Sequence, residues 1–274
     1  MAQYTIEVPG GVTLAVADDG EGTPVVLLHG LTAARRHVVM GSSGLARAGH
    51  RVVAYDARGH GSSSAPAAAD GYGYGDLVGD LVALLDELEI ERATFAGVSM
   101  GAHTCLRLAL EAPERVAGLV AITPGFDPAE HDAPARLARW DALSDALRNG
   151  GVEAFAAEFG VQRIPSQWRE TVGRALRQRM ALHEDLEAVA DALRCVPRSA
   201  PFGGLRALER IECPAVVVGS RDEADPGHPL AVAERYAQLL PRARLVVEEP
   251  GASPLAWQGG RVSKIVAEVA SAGW

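Results

Sequence analysis

Lysine is almost absent from this chain. Lys264 is the only one, so positive charge rests on arginine, and 35 acidic residues against 26 basic ones leave a net charge of −9. With no Lys/Arg block, nucleic acid and anionic membrane are excluded as main partners. Cysteine is scarce too. Cys105, Cys195 and Cys213 are too few and too scattered for a disulfide framework or a metal site. Cys105 and Cys213 fall in apolar patterns and read as buried free thiols. Met1 to Thr5 has no basic region followed by an apolar stretch, so no secretory signal is visible. No apolar run approaches the length of a membrane span. These absences point to a cytoplasmic, reducing location, a small-molecule substrate and no cofactor. The expected state is monomer or homodimer.

What is present is core material: 274 residues, 48% of them hydrophobic, ample for one large core. Tyr4 to Val8 and Val12 to Ala17 alternate around Pro9-Gly10-Gly11 and predict an antiparallel hairpin. Uniformly apolar runs follow at Pro24–Leu28, Arg51–Tyr55, Ala93–Ala96, Val116–Ile122, Ala215–Gly219 and Leu245–Val247. Such runs suit strands covered on both faces of a parallel sheet. Helix-length segments separate them at Ala33–Ala48, Tyr74–Leu88, Met100–Glu111, Leu230–Leu240 and Val262–Ala270. The alternation predicts an α/β, mostly parallel, doubly wound sheet. The stretch Ala67 to Gly75 reads as a surface loop. Between Pro124 and Pro214 the rhythm breaks: Arg136–Leu147, Val152–Phe159, Trp168–Leu182 and Leu186–Cys195 read as amphipathic helices with no strand among them. The division expected is a core of 1–124 and 214–274 with a helical lid, 125–213.

The motif with chemistry is Gly97-Val98-Ser99-Met100-Gly101, a G-x-S-x-G set between a strand-like lead-in and a helix stopped by Pro113. A serine at a sharp strand-to-helix turn is a nucleophile elbow, with its hydroxyl pushed outward. Ligands bind outside the carboxyl ends of strands in open α/β sheets, so the other strand ends complete the picture. His29-Gly30-Leu31 ends one strand, and its Leu31 amide, with the Met100 amide at a helix start, would form an oxyanion hole. His29, preceding the bend, reads as a loop organiser. Gly219 to Pro226 ends another strand, and a carboxylate there would orient an imidazolium. Asp222 is nearest the strand end; Asp225 and, after the preceding strand, Asp127 are alternatives.

Leu28-His29-Gly30, Tyr55 to Ser62, the elbow and Gly219-x-x-Asp222-x-x-x-Pro226 occur in an order and spacing that resemble the α/β-hydrolase superfamily, in its lidded esterase, lactonase, epoxide hydrolase and proline iminopeptidase lineage. The resemblance covers nearly the whole chain. It implies an α/β-hydrolase fold with an N-terminal antiparallel hairpin and a helical lid. It also implies Ser99 as nucleophile, Asp222 as acid, Leu31 and Met100 as oxyanion donors, and a structural role for the Asp56–Ser62 loop. Serine at the elbow disfavours epoxide hydrolase and dehalogenase chemistry, which use aspartate there.

One part of the pattern is missing. The family's base is a histidine after the last strand, but that loop reads Glu248-Glu249-Pro250-Gly251-Ala252-Ser253-Pro254, and no histidine follows His228. A serine hydroxyl needs an adjacent base. His228, close behind the acid loop, is the first candidate, although it also suits a helix start between Gly227 and Pro229. His103, one turn beyond Ser99, and His37 are alternatives that equally suit packing roles. His131 and His183 fall on the lid; His50 and His60 read as structural. Trp140, Trp168, Phe155 and Phe159 line a pocket or simply fill a core. The function expected is hydrolysis of a small, partly apolar ester, lactone or amide through Ser99 with a non-standard base. The alternative is a non-hydrolytic lyase, isomerase or small-molecule-binding protein with a degenerate triad.

Overall fold

The computed structural model describes residues 1–221, 225 and 227–272. The chain opens with an antiparallel hairpin of β1 (Ala2–Val8) and β2 (Val12–Asp19), paired from Val8↔Val12 to Ala2↔Asp18. Gly10 and Gly11 make the turn at φ +89° and +74°, a region that costs a glycine little. β3 (Thr23–Leu28), β4 (His50–Tyr55), β5 (Ala93–Val98), β6 (Val116–Ile122), β7 (Ala215–Val218) and β8 (Ala243–Val246) complete one eight-stranded sheet in the order β1-β2-β4-β3-β5-β6-β7-β8. From β4 to β8 every pairing is parallel.

The apolar runs are explained by what covers them. Side chains alternate across a strand, so Val26 and Leu28 join one core with Phe95, Leu119 and Val217, while Val25 and Leu27 join another with Ala96, Val120 and Val218. The first core is covered by α2 (Tyr74–Glu87), α3 (Met100–Glu111) and α7 (Leu230–Leu239), through Leu81, Leu84, Cys105, Leu108 and Tyr236. The second is covered by α1 (Gly44–Arg47) and α8 (Gly259–Ala272), through Leu45, Val262 and Val266.

Two local expectations change. The segment Ala33–Ala48 is not one helix: a short 3-10 turn at Arg35–His37 and the four-residue α1 are separated by Met40 and Gly41 at φ +49° and +73°. The Gly41-Ser42-Ser43-Gly44 run breaks the helix, with the Gly44 amide donating to Ser42 Oγ at 3.2 Å. The loop at 67–75 is not wholly at the surface: residues 67–70 and Gly75 are exposed, but its middle turns inward. Tyr72 is buried and packs with Ala192 and Val196.

Between β6 and β7 lie α4 (Pro134–Phe159), α5 (Ser166–Met180) and α6 (Leu186–Cys195), with no strand among the described residues. α4 bends at Gly151 (φ +62°, ψ −156°), which separates the two helical segments read from the sequence. This insertion has its own core of Leu143, Leu147, Phe155, Leu176, Met180, Val189 and Leu193. Phe155 is core, and Trp140 and Phe159 pack against it. Trp168 instead meets Trp257, beyond β8, with ring centroids 5.9 Å apart.

Candidate active site

The elbow follows from sterics. β5 runs between β3 and β6, and α3 starts one residue after Ser99. A Cβ at Gly97 would lie 2.3 Å from the Gly101 carbonyl, and one at Gly101 would lie 2.3 Å from the Leu28 carbonyl oxygen. Both positions therefore require glycine. Ser99 itself is held at φ +49°, ψ −107°, a strained conformation for a residue with a Cβ. Its N–H donates to Ile122 O at 2.9 Å and its carbonyl accepts from His103 N at 3.0 Å. The surrounding sheet and helix thus over-determine the strained serine, which is half-buried.

That hydroxyl has a partner. His228 Nε2 lies 2.8 Å from Ser99 Oγ, and His228 Nδ1 lies 2.8 Å from Asp225 Oδ2. A carboxylate only accepts, so Nδ1 carries the proton and Nε2 is left to accept from the serine. The His228 amide also bonds Asp225 O at 3.2 Å, closing a tight turn just before α7. Gly125, in the turn after β6, provides the floor: a Cβ there would meet His228 Cδ2 at 3.1 Å. Burial pulls the imidazole down, but the Asp225 charge and hydrogen bond outweigh it and raise His228 above its ordinary value. Burial pushes the Asp225 carboxyl up, and His228, the Arg179 charge and the Gly227 amide bring it below the ordinary carboxylate value. Each partner therefore favours the charged form of the other.

The candidates from the sequence divide accordingly. Ser99 and His228 are brought together, and the carboxylate on His228 is Asp225; Asp222 lies outside the described residues. Asp127 is committed to Arg235 Nη1 at 2.7 Å and to the Ala129 amide at 3.1 Å. His103 is saturated elsewhere. Its Nδ1 meets Tyr74 Oη at 2.9 Å, and its Nε2 accepts from the Gly125 and Phe126 amides at 3.1 Å each. Burial drives it down to about 3, so it is a neutral anchor for the turn beneath His228. His37 caps its own 3-10 turn through Nδ1, accepting from the Ala34 amide at 3.1 Å, and burial lowers it to about 4.

At the end of β3, His29 donates from Nδ1 to Gly30 O and accepts at Nε2 from the Ala57 amide, both at 2.8 Å. It is buried and pulled down to about 3, so it ties the loop after β3 to the loop after β4 without titrating near neutrality. Gly30 packs against Val98 O and Ser99 Cβ. The next amide, Leu31, and the Met100 amide donate to no acceptor among the described residues; the first amides of any helix lack intrahelical acceptors. The 56–62 loop is held by Asp56, which accepts from the Arg35 amide at 2.7 Å and the Ser62 amide at 3.1 Å and pairs with the Arg35 guanidinium.

Sequence reading missed Glu248. It is 1% exposed. Its carboxylate accepts from Ser220 Oγ at 3.0 Å, from the Leu255 amide at 3.2 Å and from the Arg221 amide. Its carbonyl accepts from Arg221 Nε at 3.1 Å. The loop after β8, which offers Ala252 and Ser253 where a histidine was sought, therefore clamps the start of the loop that carries Asp225 and His228. A carboxylate directly after an apolar strand was the available signal. It looked like one more acidic loop.

A model of the alpha/beta hydrolase fold family matches residues 23–259. The chain belongs to that family. Over 276 residues, 98% of each chain, it is 28% identical to a Bacillus subtilis protein named 2-succinyl-6-hydroxy-2,4-cyclohexadiene-1-carboxylate synthase. It is 30% identical over 233 residues to a Pseudomonas savastanoi protein named carbamate hydrolase RutD, covering 83% of this chain and 85% of that one. Among solved structures, an esterase from Thermogutta terrifontis superposes with a TM-score of 0.83 at 25% identity, covering 100% and 99% of the two chains. The enol-lactonase from Burkholderia xenovorans superposes at 0.77 and 24% identity, covering 98% and 100%, a likeness of fold alone. The eight-stranded, mostly parallel sheet with its antiparallel N-terminal hairpin agrees with that family's fold. In this family member the histidine on the elbow serine comes from the loop after β7. No helix among the described residues is long and apolar enough to cross a membrane.

Proposed function

We propose that this α/β-hydrolase-fold protein hydrolyses a small, partly apolar ester, lactone or amide with Ser99 as nucleophile, His228 as base, Asp225 as the orienting carboxylate, and the Leu31 and Met100 amides as oxyanion donors. The observation that carries the reading is the unbroken chain from Asp225 Oδ2 through His228 to Ser99 Oγ, with both links at 2.8 Å. His228 Nε2 takes the Ser99 proton as Oγ attacks the carbonyl carbon. The resulting oxyanion meets two preorganised N–H donors, each worth a factor of about 10²–10³ in turnover in comparable sites. His228 then returns the proton to the leaving group, and water reverses the sequence on the acyl-enzyme. The helical insertion, residues 125–213, acts as the lid over this site, supported by its separate core and its contacts with the loops after β3, β4 and β8. A fluorophosphonate probe tests the reading: a mass increase located on Ser99, with nitrophenyl ester turnover lost in Ser99→Ala, is the expected result. An unmodified Ser99 with turnover kept in Ser99→Ala overturns it.

A second reading is a lyase or isomerase in the same cleft. The full-length similarity to a protein named as a synthase favours it. It uses the His228–Asp225 pair for proton transfer and forms no acyl-enzyme, so the same labelling and ester assays separate the two.

A further inference from the structure

Most arginines of the helical insertion have a partner, and Arg139, Arg206 and Arg210, which have none among the described residues, are exposed to solvent. Arg148 pairs with Glu187 and Asp191, Arg177 with Glu153, Arg194 with Asp145, and Arg136 donates to two carbonyls. Arg179, on α5, is different. Its Nε is enclosed without an acceptor, and among the described residues neither terminal nitrogen has a hydrogen bond or ion pair. The side chain is still partly open to solvent. A charged donor withdrawn from water and left unpaired is destabilising.

Its position is fixed by its neighbours. Met180 and Leu176 belong to the insertion's core, against which Leu31 packs. Four residues on, His183 Nε2 donates to Thr32 O at 3.0 Å and His183 Nδ1 accepts from the Gly61 amide at 2.8 Å. The end of α5 is therefore fastened over the loop that carries the Leu31 amide. From there the Arg179 charge acts on Asp225, His228, His37 and His183. Its charge bears on the Asp225–His228 pair beside Ser99, and the carboxylate it acts on, Asp225, is already committed to His228.

We propose that Arg179 binds a carboxylate on the substrate, so that the molecule presented to Ser99 is an anionic ester, lactone or amide; this rests on the hydrolase reading above. A guanidinium with free terminal donors matches a carboxylate in bidentate geometry. One negative charge is the right number: His37 and His183 are both held below their ordinary values by burial and are neutral near pH 7, so they add no cation for a phosphate dianion. A chain with net charge −9 repels anions in general, and a local cation supplies the selectivity.

The test compares the 4-nitrophenyl monoester of glutaric acid with its methyl-capped neutral analogue, in wild type, Arg179→Met and Arg179→Lys. In wild type kcat/KM favours the anion by about 10–100-fold, the range of a charge-assisted hydrogen bond. The ratio falls to near one in Arg179→Met and is partly kept in Arg179→Lys. A wild-type ratio of one or below, or a ratio unchanged in Arg179→Met, overturns the proposal. If neither ester is turned over and Ser99 takes no fluorophosphonate, the hydrolase reading has failed, and calorimetric binding of glutarate decides the Arg179 claim separately. Binding weakened 10-fold or more in Arg179→Met upholds it, and no binding to wild type overturns it.

Discussion

Asp225 and His228 stand three residues apart in one loop and are bonded to each other at 2.8 Å. The carboxylate and the imidazole therefore form a single local unit that is carried to Ser99 as one piece. In a site where acid and base come from two loops, each can drift independently. Here what matters is how that one loop is pinned, and the pins are Gly125 beneath the imidazole and Glu248 at the start of the loop.

The serine and histidine should behave as one device. Ser99→Ala and His228→Ala should each lower kcat by about 10⁴–10⁶, and the double variant should be no worse than either alone, because removing one member already idles the other. Steady-state kinetics on a nitrophenyl ester checks this, with circular dichroism to confirm folding. Additive losses would mean that the two side chains act separately.

The carboxylate can be assigned by substitution. Asp225→Asn puts an amide against Nδ1 and no longer fixes the tautomer or supports the imidazolium, so kcat should fall about 10⁴-fold. Asp127→Asn removes only a partly exposed pair with Arg235 and should change stability by about 1 kcal/mol or less, with kcat within about 2-fold of wild type. Activity lost in Asp222→Asn but kept in Asp225→Asn would move the acid to Asp222.

Most of the frame was legible in the sequence because each strand's burial left a local trace. Uniformly apolar runs at Val116–Ile122 and Ala215–Val218 can only be covered on both faces, and the glycines at 97 and 101 are dictated by carbonyls 2.3 Å away. The helix predicted over Ala33–Ala48 failed because apolar content was weighed over the Gly41-Ser42-Ser43-Gly44 breaker. The acid and the clamp were less legible for another reason. Asp222, Asp225 and Glu248 are all carboxylates in polar loops, and which one meets an imidazole depends on loop conformation, which has no periodicity to read.

The pH dependence follows from the sign of the His228 shift. The base must be neutral to accept the Ser99 proton, so kcat/KM should fall as pH drops through the free-enzyme pKa of His228, which lies above the ordinary value of about 6.5. Arg179 lowers that pKa and Asp225 raises it. Arg179→Met should therefore move the acidic limb to higher pH. A pH–rate profile of both proteins reads the displacement, and a limb that moves down would contradict the electrostatic placement of Arg179. The same shift has a stability consequence. A folded-state pKa above the unfolded one stabilises the protein fully below the unfolded value, and that gain is lost as pH rises through the folded value. Denaturant midpoints of wild type should therefore lose a His228-dependent increment across the window just above pH 6.5, an increment absent from His228→Ala.

Glu248 offers the sharpest separation of positioning from chemistry. Burial pushes its carboxyl up, but the amides of Arg221 and Leu255 and the Ser220 hydroxyl outweigh this and hold it below the ordinary value. It is therefore charged at neutral pH and satisfied by donors from both loops. Glu248→Ala leaves those donors without their acceptor and frees the start of the Asp225–His228 loop, at a cost of about 1–3 kcal/mol in stability. A misplacement of about 1 Å at His228 is enough for about a 10²-fold loss in kcat, while KM should change little because Glu248 is buried and bonds only Ser220, Arg221 and Leu255. Glu248→Gln, which keeps the shape and one acceptor oxygen but surrenders the charge and sets an NH2 donor where the second oxygen accepted, should recover part of the lost kcat. Its deficit relative to wild type should shrink as pH falls through the Glu248 pKa and the wild-type carboxylate is itself neutralised. Equal kcat in wild type and Glu248→Ala, with the stability loss present, would show that the clamp supports the fold without registering the base.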